Sequence, residues 1–101
     1  PWRKGVSITP EEFAKAFLEL RKLGLVDGVF VSSGMYSDPE NVMEDIIETG
    51  KLIRKEFDGY IHLKVVPGAS REQIRQAIEI ANRVSINIEV AEPSMLNEVG
   101  S

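Results

Sequence analysis

The chain contains no cysteine. That absence removes disulfides, thiolate zinc sites, cysteine nucleophiles and cysteine-held iron–sulfur clusters from what it can do alone. Histidine is almost as scarce. His62 is the only one, too few for a multi-histidine metal site. Positive charge is also short, with 12 Lys and Arg against 16 Asp and Glu and a formal charge of −4. No basic stripe offsets this balance, so nucleic-acid binding is unsupported by this segment. Long apolar runs are missing as well, since none approaches the roughly 20 residues of a spanning helix. The start, Pro-Trp-Arg-Lys-Gly, is charged but has no apolar stretch behind it, unlike a signal peptide. These features predict no membrane partner and a cytoplasmic location. Pro1 in place of Met reads as processing, trimming or excision from a longer chain.

What is present describes a small globular unit. Hydrophobic residues make up 43% and charged residues 28% of the 101 positions, a mixture that argues against disorder and allows one modest core. Helix signals are clear. Thr9-Pro10-Glu11-Glu12 combines a capping threonine, proline at the first helical position and a glutamate that can reach back to the cap. Phe13, Phe17 and Leu20 follow at helical spacing, and Gly24 supplies a left-handed stop. A second helix is predicted from Asp38-Pro39, with Met43, Ile46, Ile47 and Ile53 on one face. A third starts at Ser70-Arg71-Glu72-Gln73, another capping box, with Ile74, Ala77, Ile78 and Ala81 behind it. Asp38 and Ser70 are read as caps and not as catalytic groups.

Each helix is followed by a short β-rich run: GVFVS over 28–32, YIHLKVV over 60–66 and VSINIEV over 84–90. Turn formers bound them at Asp27-Gly28, Asp58-Gly59, Pro67-Gly68 and Pro93. Such alternation predicts an α/β fold with three parallel strands and three helices in the order α-β-α-β-α-β. Residues 1–8 and 93–101 read as connecting or tail segments, and 1–101 as a single unit.

The strands alternate in polarity. Ile61, Leu63 and Val65 oppose His62 and Lys64. Val84, Ile86, Ile88 and Val90 oppose Ser85, Asn87 and Glu89, and Val29 and Val31 oppose Phe30 and Ser32. A parallel sheet covered on both faces would read as nearly continuous apolar runs. The pattern therefore predicts all helices on one face, as in a partial (β/α) barrel, with the polar side as its lumen. Ser32, Ser33, Gly34, Lys64, Asn87 and Glu89 then gather near the strand C-termini, where such barrels place their chemistry. An ordinary solvated face, with Lys64 and Glu89 as a cross-strand ion pair, accounts for the same pattern. His62 reads as a hydrogen-bonded lumen residue before a general base. Ser32-Ser33-Gly34 is a weak phosphate-cradle signal.

The strings GVFVSSGMYSDPENVMEDIIE, GYIHLKVVPGAS and RVSINIEV resemble the barrel interior of a radical S-adenosylmethionine (radical SAM) family described in terms of DNA modification or repair. The resemblance runs from about Ser7 to Glu92. It implies that the three runs are barrel strands two, three and four, directly after a three-cysteine motif that this chain lacks. In that superfamily the motif holds a 4Fe–4S cluster, whose open iron binds SAM for reductive cleavage to a 5′-deoxyadenosyl radical. Ser32-Ser33-Gly34 stands where many members carry Gly-Gly-Glu, which contacts the SAM amino group. That departure puts the amino contact in question, though backbone carbonyls there can still serve. Lys64, Asn87 and Glu89 match the lumen region that binds the ribose and amino-acid parts of SAM. The resemblance implies an enzyme as parent, with SAM and the cluster as cofactors and the remainder of the barrel as partner. This chain alone is expected to hold neither cofactor and to turn over no SAM.

Two other readings fit the residues. One is a non-catalytic binding or self-assembling α/β module. The other is part of a different barrel enzyme that binds a phosphorylated metabolite at Ser32–Gly34 and Pro67–Ala69. In every case three strands cannot close a barrel, so the outer strands are expected to expose unpaired backbone and to promote self-association through the open sheet edges.

Overall fold

The computed structural model describes residues 8–33 and 38–87. Their elements run α1 (Pro10–Lys22), β1 (Gly28–Val31), α2 (Pro39–Arg54), β2 (Tyr60–Val65), α3 (Arg71–Ile80) and β3 (Arg83–Ile86). The strands form one parallel sheet in the order β1-β2-β3, so each is hydrogen-bonded beside its sequence neighbour. The result is the predicted α/β alternation, an open sheet consistent with a partial barrel.

Local chemistry sets the helix ends. The Thr9 hydroxyl accepts from the Glu12 N–H at 3.1 Å, and the Glu12 carboxylate accepts from the Thr9 N–H at 3.0 Å. Ser70 and Gln73 make the same reciprocal pair at the start of α3. Asp38 departs from expectation. It precedes α2 but makes no side-chain bond to the helix backbone; its Oδ2 accepts instead from the Asn41 side chain at 2.6 Å. At the end of α1, Gly24 has φ +75°, which only glycine adopts without a Cβ penalty. Gly24 N–H donates to Arg21 O, and the left-handed turn at Gly24 lets Leu25 N–H reach Leu20 O, both at 3.0 Å, which satisfies two carbonyls of the last turn.

The helices lie on one side of the sheet. Along β2, Ile61, Leu63 and Val65 are buried, while Tyr60 is exposed and His62 and Lys64 are half-buried. Met43, Ile46, Ile47 and Ile53 bury the predicted face of α2 in the same core, and Phe17 of α1 meets Phe57 edge-on at 4.9 Å. Gly50, an unusual residue inside a helix, marks the close approach: a Cβ there would stand 3.1 Å from Ile80 and 3.3 Å from Leu63. No helix among the described residues is long and apolar enough to cross a membrane.

Two residues expected in the core are not there. Ile78 is 56% exposed and Ile86 46% exposed. The buried stripe of α3 is centred on Gln73 and Ala77, with Ile74 and Ile80 at its borders. Ile78 therefore falls about one residue's rotation, ~100°, outside it. Gln73 can occupy the stripe because its amide is satisfied, donating to Glu40 O at 2.9 Å and to the Glu44 carboxylate at 3.1 Å. Ile86 has the expected parity but ends an edge strand that no described helix covers at that point. Ile74 is half-buried, and Leu20, at 41% exposed, sits on the rim of α1. The strands differ from the predicted runs by a residue: β1 ends at Val31, β2 at Val65, and β3 begins at Arg83. Ile88, Glu89, Val90 and the segments 1–7 and 91–101 lie outside the described residues.

At the N-terminal end of the sheet, Arg54 joins three segments. Its guanidinium donates to Ile80 O, to Phe57 O and Gly59 O, and to the Asn82 side chain, at 2.8–3.2 Å. The cation thus closes the C-terminal turn of α3, where the helix dipole favours positive charge.

Candidate functional site

Among the described residues no helix covers the other face of the sheet. Phe30 of β1, Tyr60, His62 and Lys64 of β2, and Arg83 and Ser85 of β3 occupy it by strand alternation. Register aligns them in rows: Phe30 with His62 and His62 with Arg83, then Lys64 with Ser85 one step closer to the strand C-termini.

The expected rim residues are partly assembled. Ser32 is exposed and lies one residue beyond β1, and Ser33, half-buried, is already engaged in an interaction of its own. Lys64 is half-buried on the open face, and Asn87 is exposed one residue beyond β3. Because the strands are parallel, Ser32, Ser33, Lys64 and Asn87 gather at one end of the sheet. Gly34 and Glu89 lie outside the described residues. Pro67 and Gly68 are exposed in the turn that follows β2 at the same end.

The best-defined polar contact is one step below the rim. His62 Nε2 lies 2.8 Å from Ser85 Oγ, so the imidazole is a hydrogen-bonded residue of the open face. Its ring stacks obliquely on Phe30, centroids 4.4 Å apart, and meets Tyr60 edge-on at 6.4 Å. Burial pushes its pKa below the ordinary imidazole value, and the Arg83 guanidinium pushes it further the same way. Both effects favour the neutral ring, which can donate through one nitrogen and accept through the other.

Tyr60 and Arg83 belong to this face but escape the sequence argument. β3 begins at Arg83, one residue before the predicted start at Val84, and carrying the alternation back one step places Arg83 on the face of Ser85. Among the described residues no group of three or more His, Cys, Asp or Glu could hold a metal ion.

Among the described residues no strand pairs with the outer edge of β1 or of β3. Beside the β1 edge runs an apolar groove of about 340 Å³, lined by residues that include Ile8, Phe13, Leu20, Val29 and Phe30.

Comparison with known protein families, curated proteins and solved structures finds no match to this chain.

Proposed function

We propose that the chain supplies strands two to four of a radical SAM-type barrel and carries part of the SAM site without the cluster motif. The observation that supports this reading best is the one-sided sheet. The described helices lie on one face, and Ser32, Ser33, Lys64 and Asn87 gather at the C-terminal end of the parallel strands, with Lys64 on the other face. The amide of Asn87 suits ribose hydroxyls, and the hydroxyl and backbone groups of Ser32 and Ser33 suit the methionyl end. Glu89 completes the proposed set as the carboxylate for the SAM ammonium. Catalysis is assigned to the parent, whose missing part would bring the 4Fe–4S cluster and close the lumen over these residues. A cytoplasmic location belongs to the same proposal.

Ligand-observed saturation-transfer NMR at millimolar SAM tests this reading, because it registers contacts too weak to retain the ligand. Transfer to the ribose and methionyl protons is expected with the wild-type chain and lost in the Lys64→Ala/Asn87→Ala double variant. Equal transfer to both proteins, or none to either, contradicts the proposal.

A second reading, self-association, draws support from the apolar groove at the β1 edge and from exposed Ile78 and Ile86 on the α3–β3 side. Unpaired edges flanked by apolar side chains invite strand addition by another copy.

A further inference from the structure

The open face holds more than its rim. Phe30 and Tyr60 are 53% and 47% exposed, although both lie within strands of the sheet, and their rings close on His62 from two sides. Toward β3 the character changes. Arg83 follows His62 in the same row, and Lys64 faces Ser85 in the next. Neither cation has an ion-pair partner among the described residues; the ion pair found there joins Arg75 to Glu72 on α3. No residue within the three strands is acidic. In a chain of net charge −4, the described strands gather cations on this face with no carboxylate among them, and set aromatic rings beside the cations.

We propose that the face binds a compound with a planar ring at one end and a phosphate monoester at the other. The ring stacks on Phe30 and Tyr60, and the phosphate meets Arg83, Lys64 and the Ser85 hydroxyl. A guanidinium, an ammonium and a hydroxyl on adjacent positions suit a dianion with several acceptor oxygens, more than a single carboxylate would use. The exposed aromatics supply the other half of the recognition, since stacking needs only an accessible ring face. β1 and β3 lie two strand spacings apart, about 9.6 Å, so ring and phosphate must be separated by a linker of roughly sugar size. A mononucleotide has this layout. The His62–Ser85 hydrogen bond ties the two halves together, holding the stacking imidazole and the phosphate-facing hydroxyl in one arrangement. This site stands independently of the SAM reading, with which it shares only Lys64.

Uridine 5′-monophosphate is the probe, with uridine and ribose 5-phosphate as its halves. Each is titrated into the full chain and followed by amide shifts. The nucleotide is expected to bind at least about tenfold more tightly than either half, with shifts at Phe30, Tyr60, Arg83 and Ser85. Phe30→Leu should weaken the nucleotide about tenfold and leave ribose 5-phosphate unchanged. Arg83→Gln should weaken the nucleotide and ribose 5-phosphate but not uridine. Both positions are exposed, and circular dichroism verifies that the variants fold. SAM titrated in parallel separates the two readings, since Phe30→Leu should leave any response at Ser32 and Asn87 in place. Equal affinity for the nucleotide and ribose 5-phosphate, shifts confined to the helical face, or no saturable response at millimolar nucleotide would overturn the proposal.

Discussion

Arg54 and Asn82 hold the lower end of the sheet together: the guanidinium donates to Asn82 Oδ1 at 2.9 Å, and the same oxygen accepts the Ile61 N–H at 2.8 Å. Asn82 N–H in turn donates to Ile61 O at 2.8 Å. The residue therefore acts as one more rung beside β2, locked by a cation from the end of α2.

Arg54→Ala is expected to destabilise the chain by roughly 3 kcal/mol, because it leaves several part-buried carbonyls without their charged donor. Arg54→Lys should recover little of this, since an ammonium cannot reproduce the planar fork. Urea denaturation measures both. A loss within about 0.5 kcal/mol, typical of a surface substitution, would mean that the network contributes nothing to the fold.

Core assignments give a sharp contrast. Leu63 is fully buried, whereas Ile78 and Ile86 are about half exposed. Leu63→Ala should cost roughly 2–5 kcal/mol, and Ile78→Ala or Ile86→Ala within about 0.5 kcal/mol. A loss at Ile78 as large as that at Leu63 would mean that α3 buries a different face, and one at Ile86 that the end of β3 is covered.

His62 predicts a pH effect of defined sign. Its folded pKa lies below the ordinary 6.5, first through burial and then through Arg83. Below pH 6.5 the unfolded chain therefore binds more protons than the folded one. The His62 contribution to stability is complete above that pH and is lost as pH falls toward the folded pKa. An NMR titration of the imidazole should give a midpoint under 6.5, raised in Arg83→Gln but not fully restored, because burial remains the larger cause. A midpoint at or above the ordinary value would contradict the described environment of the ring.

Self-association is expected from the two open edges. Light scattering over a concentration series should show a mass above that of one chain, and Ile86→Lys, which puts a charge on the β3 edge, should lower it. A one-chain mass up to high micromolar concentration would remove this reading.

Much of the architecture was legible because its signals are local. Thr9 with Glu12 and Ser70 with Gln73 are capping boxes that need no tertiary context, and the alternation in YIHLKV states directly which side of β2 is buried. The errors came where burial depends on distant partners. Gln73 is buried because Glu40 and Glu44 accept its amide protons, a condition that hydrophobic periodicity on α3 cannot register when it points to Ile78 instead. Ile86 has the correct parity, but parity does not say whether a helix covers an edge strand. On the open face, Lys64 and His62 followed from alternation, whereas Arg83 depended on a strand boundary, the least local feature of all. Arg54 carries no sequence signal of its role, since a lone arginine near a helix end is ordinarily solvated.

The reading proposed above places ligand chemistry on the face of the sheet opposite the described helices. Protein-observed amide shift mapping with millimolar SAM tests it most directly. Small, fast-exchange shifts are expected at Ser32, Ser33, Lys64 and Asn87, with α1, α2 and α3 unaffected. Shifts concentrated on the helices, or spread evenly over the chain, would contradict it.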